Sequence, residues 1–322
     1  MRCMSDFDRI LERSAQLLDG PATDARITTL LRSLPHIDPA QLTPWVGQQT
    51  QIATRDAATP DDLRLITSLI DLTSLSADDT PESVAALVWR ALAPESDLMH
   101  PAVLPATAAV CVHADLVVPA RVALDEAADA PVALAAVAGG FPHGRSPFAA
   151  KAAEIEYAVA AGADEIDIVI DRGALLSERY AQVYDWVLVA RRLVERGDGT
   201  RAHLKVILET GELPDYDAMF HAAIIALLAG ADFVKTSTGK GRAGATPEAA
   251  AVLLQASAHW REETGETIGV KVAGGVRTVD QAMGYLRLAR VICGDSFVAP
   301  ASMRFGASAL LDDVLRTFEP LR

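Results

Sequence analysis

Lysine is nearly missing from this chain. Of 29 cationic residues only five are lysine (Lys151, Lys205, Lys235, Lys240 and Lys271), and the other 24 are arginine. Guanidinium stays protonated and forms no imine, whereas a lysine amine can lose its proton to its surroundings. A lysine kept against this bias is a candidate for amine chemistry. Positive charge as a whole is also short, with 43 acidic residues and a net charge of −14. That balance argues against nucleic acid or an anionic membrane as partner, because phosphate contacts need clustered Lys and Arg. It leaves room for a local positive pocket. Aromatics make up only 5% of a chain that is half hydrophobic, so the core must come from Ala, Val, Leu and Ile, as in helix-covered parallel sheets.

Other absences remove whole classes of function. The three cysteines, Cys3, Cys111 and Cys293, are odd in number and lack metal-type spacing, which suits reduced thiols in a cytoplasmic protein. The most apolar run, Ala222 to Ala231, is far shorter than the ~20 residues that span a bilayer. The opening MRCMSDFDRILERSAQLL has no apolar stretch or cleavage site, so no secretory signal is expected. The seven histidines form no HxH or HExxH cluster, and His113 and His143 read as loop residues near strand ends. No GxGxxG follows the first strand. Neither a metal nor any cofactor is expected.

Residues 1–64 read as a helical extension. Phe7, Ile10, Leu11, Leu17 and Leu18 are spaced for one apolar face, and Ile27, Leu30, Leu31 and Leu34 repeat the pattern. Asp38-Pro39 and Thr59-Pro60 are helix openings, a capping side chain followed by proline. No catalytic constellation falls here, and these helices are expected to plug one end of a barrel or extend an interface.

From Leu65 to the end, residues 65–322, strands and helices alternate. Strands are expected at Leu65 to Leu72, Ala106 to Val112, Ala133 to Ala138, Glu165 to Ile170, Leu204 to Leu208, Asp232 to Thr236, Gly269 to Ala273 and Ser302 to Phe305. Eight βα units predict an α/β fold, a closed (β/α)8 TIM barrel with an N-terminal helical extension. Chemistry in such a barrel sits at the carboxyl-terminal ends of the strands. Lys235, Lys271, Asp167, Cys111 and Asp71 are expected in or near the last part of theirs.

Charge inside a strand is costly unless paired. Alternation puts Lys235 on one face with Phe233 and Ser237, Lys271 with Ala273, and Asp167 with Val169, leaving Val234, Val270, Val272, Ile166 and Ile168 for the covering helices. Asp167, Lys205, Lys235 and Lys271 then converge on the axis. A buried ion-pair cluster with no catalytic role would look the same for one Lys and one Asp; the second lysine favours chemistry. An ordinary lysine, pKa ~10.4, is a poor nucleophile at neutral pH. Bringing it near 7 to 8 takes about 4 kcal/mol, which one ammonium at ~4 Å and an effective dielectric of ~20 supplies. Past the sixth, seventh and eighth strands come Gly239-Lys240-Gly241, Gly274-Gly275 and Gly306-Ala307-Ser308. Glycine turns leading into helices, at the usual phosphate position of a barrel, predict a phosphorylated substrate with Lys240 as its point charge.

The stretches IDLTSLSADDT, AAVCV, GFPHG, GADEIDIVI, LKVILETGEL, GADFVKTSTGK, GATPE, KVAGGVR and RFGAS resemble, in order, those of the deoxyribose-phosphate aldolases, class I aldolases on a (β/α)8 barrel. The resemblance runs from about Leu69 to Leu311, and the long N-terminal segment is similar to that of the longer members. It implies reversible cleavage of 2-deoxy-D-ribose 5-phosphate to acetaldehyde and D-glyceraldehyde 3-phosphate. It also implies roles: Lys235 forms the imine, Lys271 lowers its pKa, and Asp167 handles the proton transfers. Asp71 and Lys205 complete the polar network and Cys111 borders the substrate. Gly239, Lys240, Gly274, Gly275, Gly306 and Ser308 hold the phosphate. Three places depart from the family pattern: Val112-His113-Ala114 after Cys111, Asp171-Arg172, and Ala309, where many relatives have a second serine. Two other readings stay open, a lyase or isomerase for another phosphorylated aldehyde and a catalytically silent scaffold. A homodimer is an assembly the sequence permits.

Overall fold

Many of the helices in this chain start where a Thr, Ser or Asp side chain bonds the free amides of the first turn. A computed structural model describes residues 5–95, 104–127 and 131–318; Cys3 lies outside them. Four helices precede the first strand: α1 (Asp6–Leu17), α2 (Asp24–Ser33), α3 (Pro39–Ala53) and α4 (Pro60–Ser68). Ser5 and Thr59 form reciprocal capping boxes with Asp8 and Asp62, while Thr23 and Asp38 cap α2 and α3. The expected first strand is shortened by this chemistry. Thr59, Pro60 and Asp62 launch a helix that carries through Leu65 to Ser68, and the strand begins only at Ile70. The boundary drawn between 64 and 65 therefore falls inside α4.

Eight parallel strands close into a barrel in sequence order, β8 pairing back to β1. They are β1 (Ile70–Thr73), β2 (Ala109–His113), β3 (Ala133–Val137), β4 (Glu165–Val169), β5 (His203–Ile207), β6 (Phe233–Lys235), β7 (Gly269–Ala273) and β8 (Met303–Ala307). Between and after them run α5 (Pro81–Leu92), α6 (Val117–Asp125), α7 (Phe148–Ala160), α8 (Arg172–Leu176), α9 (Tyr180–Leu193), α10 (Tyr216–Leu228), α11 (Pro247–Thr264), α12 (Val279–Cys293) and α13 (Ala309–Phe318). β2 starts at Ala109 rather than Ala106. β8 runs on to Ala307 and so takes in Gly306, a residue the sequence reading had put in a turn.

Two environments follow from strand alternation. Val234, Val270, Val272, Ile166 and Ile168 join the large apolar layer between sheet and helices. The opposite face is lined by small residues such as Ala135 and Cys111, leaving the axis to long charged side chains. At Gly306 a methyl group would stand 2.8 Å from Ala273 Cβ and 3.0 Å from Lys271 Cε, so glycine there makes room for the lysine.

The N-terminal helices pack along the barrel's flank rather than across an end. The Ser14 hydroxyl of α1 donates to the Leu228 carbonyl of α10, Arg191 of α9 pairs with Asp6, and α3 lies on α11 and α12. The reason is in α10, whose residues Met219, Phe220 and Ala222 to Leu228 are all buried. A helix apolar on every side needs cover on both; the barrel supplies one cover and the extension the other.

Candidate active site

Alternation aims seven ionisable side chains at the barrel interior: Asp71 from β1, Glu165 and Asp167 from β4, Lys205 from β5, Lys235 from β6, Lys271 from β7 and Arg304 from β8. Asp167 is the hub. Its Oδ1 accepts from Lys205 Nζ at 2.9 Å, and its Oδ2 from Lys235 Nζ at 2.8 Å and Lys271 Nζ at 2.9 Å. Asp71 sits 2.6 Å from Lys271 Nζ through Oδ2 and 2.6 Å from Arg304 Nη1 through Oδ1. Toward the amino-terminal ends of the strands, Glu165 lies 2.5 Å from Lys205 and 3.1 Å from Arg304. The register aligns Lys235 with Lys271 on adjacent strands and Asp167 with Lys205. Only Lys235 ends its strand; Asp167, Cys111 and Lys271 are central in theirs and Asp71 is second in β1. The site is thus deeper than strand ends alone would put it.

These environments push proton affinities apart. Burial is the largest influence on Lys235 and lowers its pKa below the ordinary lysine value; the Lys271 ammonium adds to the lowering, and Asp167 opposes it. The Lys271 ammonium, expected to prime Lys235 by itself, is thus a smaller influence than burial. At Lys271 burial acts the same way, but Asp167 and Asp71 overcome it and hold its pKa well above the ordinary value. Burial works against the Asp167 anion too, and Lys205, Lys235 and Lys271 outweigh it, so its carboxyl is held well below the usual range. Burial raises the Cys111 pKa, which leaves a thiol beside the lysines. One amine that gives up its proton readily, next to one that does not, can attack a carbonyl carbon while a fixed positive charge stays in place.

Above Lys235 opens a cavity of about 390 Å³, bordered by Gly239, Lys240, Gly274, Gly275, Gly306 and Ser308. Lys235 reaches it, while Asp71, Cys111, Asp167, Lys205 and Lys271 lie outside its lining. At Gly274, φ is +89°, and a methyl group would meet Gly244 Cα and Ser237 Cβ at 3.2 Å, so the backbone turns there only as glycine. Lys240 Nζ crosses from the β6 loop to donate to the Leu75 carbonyl at 2.7 Å. The first turn of α13, from Ala309, borders the same space, adding the partial positive charge of free amides. Wider clefts of about 730 and 810 Å³ lie on the flanks, one beside Trp45 and His259, the other beside Lys151 and Trp186, and neither is lined by the interior lysines. Among the described residues no three His, Cys, Asp or Glu side chains gather as metal ligands.

Several residues here went unnamed in the sequence reading. Glu165 stands two positions before Asp167, so alternation could have placed it on the same face; Arg304 carried no comparable signal. Glu209 is buried with φ +54°, and its carboxylate accepts from the Thr238 hydroxyl at 2.6 Å, bracing the β6 loop. Arg277 borders the cavity. At the departures from the family pattern, His113 meets the Phe141 ring edge-on and Asp171 caps α8 through the Ala174 amide.

Comparison with known proteins gives one consistent picture. The family described as DeoC/LacD family aldolase matches residues 65–315. The chain is 40% identical over 255 residues to the deoxyribose-phosphate aldolase of Homo sapiens, covering 77% of this chain and 78% of that one. With the deoxyribose-phosphate aldolase of Agrobacterium fabrum it shares 40% over 251 residues, 78% of this chain and 89% of the other. Among solved structures, the tetrameric deoxyribose phosphate aldolase from Aeropyrum pernix superposes with a TM-score of 0.60 at 26% identity, over 86% of this chain and 98% of that one.

Proposed function

The chain belongs to the DeoC/LacD aldolase family and is an aldehyde-lyase, and from that premise we propose that it cleaves 2-deoxy-D-ribose 5-phosphate reversibly to acetaldehyde and D-glyceraldehyde 3-phosphate through a Schiff base on Lys235. The observation that carries this reading is the position of Lys235, a buried amine with a lowered proton affinity that ends its strand and reaches the cavity. The open-chain sugar lies with its phosphate among Gly239, Lys240, Gly274, Gly275, Gly306 and Ser308 and its aldehyde at Lys235 Nζ. The amine adds to C1, water leaves, and the resulting iminium draws electrons from the C2–C3 bond as the 3-hydroxyl gives up its proton. Glyceraldehyde 3-phosphate departs. The enamine takes a proton at C2, and water releases acetaldehyde and the free amine.

Asp167 carries these protons. While Lys205, Lys235 and Lys271 all hold charge it is a weak base; at the enamine stage the Lys235 nitrogen is neutral and the carboxylate regains affinity for a proton. Positioned transfer of this kind contributes about 10²- to 10⁴-fold. Lys271 acts by its fixed charge. Asp71 and Lys205 hold the network in register, and Cys111 borders the substrate as an apolar thiol.

In the same reading the enzyme is a cytoplasmic homodimer with a helical extension over residues 1–64 and a barrel over 65–322. The family match begins at residue 65, inside α4, so the two parts share that helix. The buried free thiols Cys111 and Cys293 favour a reducing compartment. Exposed Trp89 on α5 and Val118 and Val122 on the adjoining α6 favour an apolar contact with a second copy.

The deciding experiment is borohydride reduction in the presence of 2-deoxyribose 5-phosphate, followed by peptide mapping. A mass adduct on Lys235, with activity lost in Lys235→Arg, is the expected result. Activity that survives Lys235→Arg, with no adduct on Lys235, refutes the assignment.

A further inference from the structure

The barrel interior does not balance its charges, and the excess falls on Lys235, at the cavity end. Its cations are Lys205, Lys235, Lys271 and Arg304, and its carboxylates are Asp71, Glu165 and Asp167. With every lysine protonated and every carboxyl ionised, four positive charges face three negative ones. Lys205 touches Glu165 and Asp167, Lys271 touches Asp71 and Asp167, and Arg304 touches Asp71 and Glu165, all within 3.1 Å. Among the described residues Lys235 meets one carboxylate, Asp167, through an oxygen it shares with Lys271. An excess charge in a buried network is relieved most cheaply at the cation with the fewest partners. That cation is Lys235, because a guanidinium keeps its proton. Without the Lys235 proton the interior is neutral, three against three.

Resting on the reading of Lys235 as the amine nucleophile, we propose that Arg304 and Glu165, at the foot of the barrel, are positioning residues whose opposed charges set whether Lys235 stands as the free amine. The link is a chain of contacts. Arg304 Nη1 reaches Asp71 at 2.6 Å, Asp71 reaches Lys271 at 2.6 Å, Lys271 reaches Asp167 at 2.9 Å, and Asp167 reaches Lys235 at 2.8 Å. Every group facing these residues enters the balance. Lys235 faces Asp167, Lys271 and the Cys111 thiol. Glu165 faces Lys205, Arg304 and, at 3.8 Å, the half-exposed His203 ring. Arg304 faces Asp71, Glu165, the Pro300 carbonyl and the Phe233 ring. Removing the arginine charge cancels the excess of one positive charge and lets Lys235 keep its proton; removing the Glu165 charge deepens the excess and drives the proton off.

The test is the pH dependence of kcat/KM for 2-deoxyribose 5-phosphate in the full-length chain. Relative to wild type, Arg304→Met is expected to move the acidic limb up by about one pH unit and Glu165→Gln to move it down by about as much, as charges several ångströms away do at intermediate dielectric. The double substitution should bring the limb back toward wild type, and Arg304→Lys, which keeps the charge, should leave it in place. A purely structural role lowers activity at all pH values and moves no limb. Limbs that coincide with wild type, or that move the same way in both single variants, overturn the proposal. Should Arg304→Met not fold, the near-isosteric Glu165→Gln decides alone, since an unmoved limb there refutes it. Borohydride trapping run alongside separates the two readings: no adduct on Lys235 in wild type sinks the nucleophile assignment, while an adduct with unmoved limbs sinks only this one.

Discussion

Replacing Lys271 with methionine isolates the charge that stands next to the reacting amine. Lys235 Nζ and Lys271 Nζ lie 2.8 and 2.9 Å from the same Asp167 oxygen, so they are at most about 5.7 Å apart. Two unit charges about 5 Å apart at an effective dielectric of about 20 repel by about 3 kcal/mol, or about two pKa units. Lys271→Met removes that repulsion and leaves Asp167 to Lys205 and Lys235 alone, so both changes raise the affinity of Lys235 for its proton. At pH 7 the free amine, and with it kcat/KM for 2-deoxyribose 5-phosphate, should fall roughly a hundredfold. Burial still lowers the Lys235 pKa, so the loss should shrink as pH rises and the acidic limb should stand about two units higher. Rates measured between about pH 6 and pH 10, with borohydride trapping of Lys235 at each end, read both effects. A loss of the same size at every pH refutes the reasoning, because it would mean that Lys271 does not act through the Lys235 proton.

Further outcomes follow from other parts of the molecule. Lys240→Ala should raise KM for the phosphorylated sugar by about 10- to 100-fold, the worth of one charge-assisted hydrogen bond, while leaving unphosphorylated 2-deoxyribose nearly unaffected; parallel kinetics on the two sugars check it. Asp71, Glu165 and Asp167 all have folded pKa values below those of free carboxyls. Their stabilisation is therefore full above the unfolded value of about 4 and is lost as pH falls through the lower folded values. Lys271, raised well above the ordinary lysine value, stabilises fully below about 10.4 and loses that contribution as pH climbs through its folded pKa. Denaturant titrations across pH should show a broad plateau with a fall on the acid side that is blunted in Glu165→Gln, and an unblunted fall would count against the assignment.

Much of the site is legible in the sequence. Period-2 alternation decides which face a strand residue takes, so Lys235, Lys271, Asp167 and Lys205 could be set on one face and Val234, Val270 and Ile168 on the other without knowing the register. The glycines past β6 and β7 announced a place where backbone must turn sharply. Less was visible at element boundaries, where local capping competes with strand propensity: Thr59, Pro60 and Asp62 drew Leu65 to Ser68 into α4 although LITSLIDL reads as a strand. Glu209 lies in the LKVILETGEL stretch, but its role was not legible, since its left-handed backbone and its bond to Thr238 depend on a loop contributed by another strand.

By itself, then, the sequence determined the repeating unit, the inward face of the charged strand residues and the small set of lysines among which an amine could be sought, because these depend on neighbours a few positions apart along one chain. Tertiary structure decided what no local pattern holds. Barrel closure brought β8 beside β1 and set Arg304 against Asp71 and Glu165, gave Lys271 two carboxylates and left Lys235 with one. Which of the three inward lysines can lose its proton is a property of that count, and the count exists only once eight strands have met around one axis.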